Sequence, residues 1–174
     1  MRGRLILGLF VLGLAAVGAA GAAFNGNWSD HLNGAQEVPT RDTQGQGQAT
    51  FRLADDGSSL HYKLIASNID NVFMAHIHMQ RPGVNGPIVV WLYPSTAPAP
   101  GPLGAGRTNG VLAEGTITAD DLVGPLDNQS LSALVEAMRT GNAYVNVHTN
   151  DGVAPPDTGP GDFPGGEIRA DIVE

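Results

Sequence analysis

Apolar and polar residues alternate in short runs along most of the chain, and glycine-rich turns separate the runs. Between Gln48 and Leu53, the side chains of Ala49, Phe51 and Leu53 fall on one face. Leu60, Tyr62 and Leu64 repeat the pattern while His61 and Lys63 point the other way. A period of two marks half-buried strands, and Asp55-Asp56-Gly57 between the two runs marks a hairpin turn. The same reasoning predicts strands over 71–79, 87–93, 111–118, 142–149 and 167–173. One stretch has helical spacing instead: Leu131, Leu134, Val135 and Met138, with Gly141 as a C-terminal stop. Seven or eight short antiparallel strands and one short helix predict an all-β fold, a Greek-key β-sandwich or flattened barrel. Residues 94–110 carry four prolines and four glycines, and 150–166 carry four prolines and five glycines, so both are expected to be long functional loops. Trp91 and Tyr93 are expected under the helix or a loop, and Trp28 at one end of the barrel.

The first 23 residues follow another pattern. Arg2 and Arg4 precede an apolar run from Leu5 to about Val17, and small residues lead to Gly21-Ala22-Ala23. A basic start, an apolar middle and a small-residue exit predict a secretory signal peptide over 1–23, leaving 24–174 as one domain. The alternative is an uncleaved N-terminal anchor, since a helix of this length is roughly 28 Å long and would span a membrane. Either reading places the domain outside the cytoplasm, in the periplasm, in the cell envelope or secreted.

Composition narrows the chemistry. There is no cysteine among the 174 residues, which excludes disulfide scaffolds, zinc fingers, thiol catalysis and cysteine-held clusters. A bound metal must therefore use histidine, carboxylate or methionine. The formal charge is −8, and −10 once Arg2 and Arg4 are removed, so nucleic acid is not an expected partner.

The histidines carry the sharpest signal. In a strand over 71–79, Phe73, Ala75, Ile77 and Met79 point one way, into the core, while His76 and His78 point outward. Over 142–149, Val145 and Val147 point inward and Tyr144, Asn146 and His148 outward. If the two strands are neighbours, three imidazoles meet on one outer face beside the 150–166 loop. Two histidines at i and i+2 stand about 7 Å apart at their Cα atoms, within reach of one ion. The alternative is a set of solvated or hydrogen-bonded surface histidines. Imidazole suits copper, zinc, iron and nickel, and copper(II) leads the divalent affinity order. Zinc with a bound water is the runner-up; a hydrolase of that kind would draw its base from Glu37 or Glu167.

Four segments resemble the signature blocks of the CHRD domain: Leu32-Asn33-Gly34-Ala35-Gln36-Glu37-Val38-Pro39, Ala75-His76-Ile77-His78, Gly141 through Thr149, and Gly166-Glu167-Ile168-Arg169. The likeness runs from about residue 28 to 174. A second resemblance is to the copper site of copper/zinc superoxide dismutases. His76-Ile77-His78 is similar to their copper-binding strand, and Val147-His148 before Asn150-Asp151-Gly152 is similar to their later copper histidine. That resemblance implies a Greek-key barrel with one copper ion on its outer wall, held by His76, His78 and His148, and superoxide as substrate. It implies Arg169 as an anion-guiding catalytic residue. No histidine lies between His78 and His148, so a copper-only form without zinc is implied. The fourth ligand is open: His31 first, then a solvent molecule or Glu37, then His61. The alternative for Arg169 is a cross-strand pair with the neighbours of Glu167 or with Asp171. Three functions follow as expectations: a copper-only dismutase, a copper-binding or storage module without turnover, and a cell-envelope interaction module with structural histidines. An envelope protein partner is compatible with all three; a membrane partner is expected only if residues 1–23 are retained.

Overall fold

The computed structural model describes residues 26–94 and 100–173; the expected signal peptide lies outside them. Eight antiparallel strands form one sheet: β1 (Asn27–Asn33), β2 (Gln46–Leu53), β3 (Leu60–Asp70), β4 (Val72–Met79), β5 (Ile88–Tyr93), β6 (Arg107–Ile117), β7 (Ala143–Thr149) and β8 (Ile168–Asp171). Their order is β5-β4-β7-β8-β1-β2-β3-β6. The sheet curls until its two edges nearly meet. Tyr62 Oη donates to the Leu92 carbonyl across that seam (3.0 Å), and Val123 N donates to the Val89 carbonyl (2.9 Å). The expected all-β, Greek-key barrel or sandwich with one helix is the observed architecture.

Alternation built most of this wall. Leu60, Leu64, Ile77, Val145, Val147 and Ile168 are fully buried in one core. The β2–β3 turn is the expected hairpin, with Gly57 at φ +70° and Leu53 opposite Leu60. The helix α1 (Leu131–Arg139) buries Leu131, Leu134, Ala137 and Met138. It ends in paired bonds from Asn142 N to Ala137 O (2.8 Å) and from Gly141 N to Met138 O (3.1 Å). Gly141, at φ +68°, supplies the left-handed residue that this ending requires.

Four expectations are corrected. β1 carries a strand pattern broken by a carboxylate: Trp28, Asp30 and Leu32 all face inward, so the strand escapes an apolar alternation test and Trp28 joins the core. β6 begins at Arg107, inside the expected 94–110 loop, because pairing with the far end of β3 extends it (Ile69↔Thr108, Asp70↔Arg107). Phe73 leaves the core face. The β4–β7 register shifts between Val72 and Met74, so Val72 takes the core position and the Phe73 ring stands edge-on to His148 at 6.4 Å, as an extra residue in a ladder re-aims a side chain. Trp91, expected under the helix or a loop, meets the His76 ring. It pairs with His76 across β4–β5, on the outer wall.

Candidate metal centre

β4 and β7 are neighbours, and their register places His76 opposite Asn146, His78 opposite Tyr144 and Met74 opposite His148. Cross-strand partners share a face, so the three histidines converge on the outer wall of the barrel. Among the described residues, His76, His78 and His148 form a group whose ligating atoms all lie within 4.8 Å of one another. This group could hold a metal ion.

The wall is outer but not wet. His76 is 0% exposed, His78 7% and His148 6%, because the 80–87 and 150–166 loops fold over them. Each loop also contributes a carbonyl. His78 Nδ1 donates to the Gly86 carbonyl (2.9 Å), and His148 Nδ1 donates to the Pro164 carbonyl (2.9 Å). A carbonyl can only accept, so both rings carry their proton on Nδ1 and turn a lone pair outward at Nε2. His76 Nδ1 lies 3.1 Å from His148 Nε2. Two nitrogens each roughly 2.0–2.1 Å from one ion, at an angle of about 100°, stand about 3.1 Å apart, so an ion could replace the shared proton with little movement. His76 Nε2 and His78 Nε2 are buried without a hydrogen-bond partner. Burial holds all three rings in the neutral, ligating form. It pushes His76 down to about 2, helped by the neighbouring His148 and His78, pushes His148 down to about 4, and lowers His78.

Aromatic rings close the sides. Trp91 meets His76 edge-to-face at 4.2 Å, and Tyr144 stacks on His78 at 4.7 Å with the planes 5° apart. The Arg169 guanidinium lies over Tyr144, 3.5 Å from the ring centre. Tyr144 Oη accepts from Gly86 N (3.0 Å), which fixes the loop that holds His78.

The other candidates fall as follows. Arg169 is fully buried. Its Nη2 pairs with Asp171 Oδ1 at 2.7 Å, and its Nη1 donates to the Val84 carbonyl and to Asn85 Oδ1, both at 3.3 Å. With no exposed surface, Arg169 makes the alternative pairing with Asp171 and braces Tyr144 and the 80–87 loop. His31 is exposed on β1, three strands from β4, or roughly 14 Å at ~4.8 Å per strand; it stands outside the group. His61 is exposed, with Nδ1 3.0 Å from Thr116 Oγ1. Glu167 is fully buried and structural: its oxygens accept from Thr43 Oγ1 (2.5 Å), Thr149 Oγ1 (2.6 Å) and Gly161 N (2.8 Å). Glu37 follows a 3₁₀ turn over Gly34–Gln36 and is 3% exposed. It is not among the clustered donors, but its carboxyl lies beside Asn146, with Arg169 and Arg41 near, and burial raises it to about 7.

Sequence reasoning passed over Asn146, Tyr144 and Trp91 as site residues. The first two alternate with His148 on its own strand face, and that shared face was the available signal. The two carbonyls left no trace, since any residue type supplies one.

No curated protein and no solved structure matches the chain. The CHRD domain model matches residues 28–155; the match takes in three of the four signature blocks and stops before Gly166-Glu167-Ile168-Arg169. That is well over half the chain, and the chain therefore belongs to the CHRD domain family.

Proposed function

We propose that this CHRD protein is an exported copper-binding protein whose three-histidine centre disproportionates superoxide. The observation that carries the reading is the donor set: three neutral imidazoles, two of them locked by backbone carbonyls so that Nε2 faces a common point. The set has no thiolate and no carboxylate, which favours copper over calcium or magnesium, and copper(II) binds such nitrogen donors most tightly of the first-row divalent ions. A Greek-key barrel carrying these histidines on its outer wall also agrees with the resemblance to copper-only dismutases.

His76, His78 and His148 would hold the ion, which would supply one-electron redox chemistry; overall, two superoxides and two protons give one dioxygen and one hydrogen peroxide. The chain's own work is positional. The Gly86 and Pro164 carbonyls hold the His78 and His148 rings in one tautomer, so loading requires no ring rotation. Trp91, Tyr144 and Phe73 exclude water from the sides. Arg169 and Asp171 brace Tyr144 from behind. Export is part of the proposal: residues 1–23 would direct the domain out of the cytoplasm and be removed there, where copper is less controlled by thiols.

The near-complete burial of the histidines favours one second reading, a copper-holding module without turnover. Superoxide removal by the copper-loaded protein, beside His76→Ala loaded identically, separates the two. Rates well above free copper in the wild type and absent from His76→Ala are expected. Copper held by the wild type without such a rate would leave the storage module. If neither protein holds copper, the histidines are structural and the envelope interaction module is what remains.

A further inference from the structure

Asn146 stands directly opposite His76 and two residues before His148 on β7. It is 3% exposed, and its Oδ1 is buried without a hydrogen-bond partner. Its amide lies between two groups. On one side is Glu37: a Cβ built on Gly166 would touch both Glu37 Oε1 and, at 2.8 Å, Asn146 Nδ2. On the other side are the imidazoles, with His76 directly opposite and His78 on the diagonal of the β4–β7 register.

The chemistry decides which end of the amide faces which neighbour. A carboxylate accepts, so the NH₂ end belongs toward Glu37, and Oδ1 is left toward the imidazoles. There it meets no donor. His78 has given its proton to Gly86, so Nε2 of His78 is also a lone pair. Asn146 Oδ1 and His78 Nε2 are both buried without a partner, so each keeps the cost of having lost water. A cation between them satisfies both.

We propose that Asn146 is the fourth donor of the centre. Its Oδ1 binds the cation held by His76, His78 and His148, and Glu37, a positioning residue, fixes which end of the amide faces that cation. The inference rests on the metal-binding reading and adds a neutral oxygen to three nitrogens.

The test uses Cu(II) alone as the probe, added to the purified full-length protein and followed by electron paramagnetic resonance and by competition for the ion. Asn146→Ala is expected to change the g and hyperfine values and to weaken binding about ten- to a hundredfold. Asn146→Asp keeps an oxygen at the same place, so it should retain tight binding with a shifted spectrum. Glu37→Gln puts an amide that can accept or donate in place of the carboxyl and should broaden the signal into two Asn146 amide orientations. A wild-type spectrum and affinity in Asn146→Ala would overturn the inference while leaving the three-histidine site standing. If circular dichroism shows Asn146→Ala unfolded, Asn146→Asp decides alone, since an unshifted spectrum there rules out a bound oxygen. Failure of His76→Ala to lower Cu(II) binding would remove both the metal reading and this one.

Discussion

At the scale of single residues, the centre is a set of buried groups held away from their ordinary ionisation. The depressed histidines and the raised Glu37 act on stability with opposite signs. A histidine lowered from 6.5 folds best neutral, so stability falls as pH drops below 6.5 toward about 4 for His148. Glu37, raised from 4.5 to about 7 by burial, binds its proton more tightly when folded; its favourable contribution is present at low pH and is lost as pH rises through 7. Comparing Glu37→Gln with the wild type cancels the histidine term. The variant should gain stability relative to the wild type between pH 5 and 8, by up to about 3 kcal/mol at 1.36 kcal/mol per unit. Urea unfolding at both pH values measures this, and a pH-independent difference would show that the carboxyl is not strained by burial. His76, His78 and His148 were legible in the sequence because alternation alone puts them opposite the core-facing residues. The exposure of His31 and the burial of Arg169 were not legible, for a common reason. Alternation gives the face of a side chain but neither its strand's place in the sheet nor what folds over it.

At the scale of elements, the entry to β8 is a tight joint. Gly166 has φ +123°, and a Cβ there would collide with Glu37 Oε1 and Asn146 Nδ2. Gly166→Ala must strain the backbone or push both groups aside, and the second of them stands opposite His76. A loss of about 1–3 kcal/mol is expected, with weaker Cu(II) binding, read by thermal unfolding and metal competition; unchanged affinity would separate this joint from the site. The strands β2, β3, β4, β5 and β7 were legible because their faces alternate or run apolar. β1 was not, because Asp30 occupies an inward position. That carboxyl is raised to about 6 by burial, and Val173 N donates to its Oδ1 at 3.4 Å. The bulge beside Phe73 was also hidden, since a register shift depends on the partner strand.

At the scale of the whole molecule, the centre joins parts of the chain that have little else in common. Two strands supply the imidazoles, and two separate loops supply the carbonyls that orient them. Asn71, at the β3–β4 turn, clamps the second loop and the segment before β6: Nδ2 donates to the Gly161 carbonyl (3.1 Å) and Oδ1 accepts from Gly106 N (3.0 Å). An ion bound only by the folded arrangement stabilises all of it together. Cu(II) at a hundred times its dissociation constant should add about 2.7 kcal/mol, a rise of roughly 5–10 °C in Tm for a domain of this size. His78→Ala and His148→Ala should lose that rise, and an equal rise in either would place the ion elsewhere. The sequence by itself determined the strand class, most strand positions, the helix with its glycine stop, and three histidines on one side of two strands. These rest on local periodicity and turn chemistry, which act between residues close in the chain. It took the tertiary fold to roof the outer face with loops, to enclose Arg169, and to bring Glu37 and Asn146 together at Gly166. Those depend on which distant segments pack together, and packing satisfies each buried group through neighbours that sequence distance does not reveal.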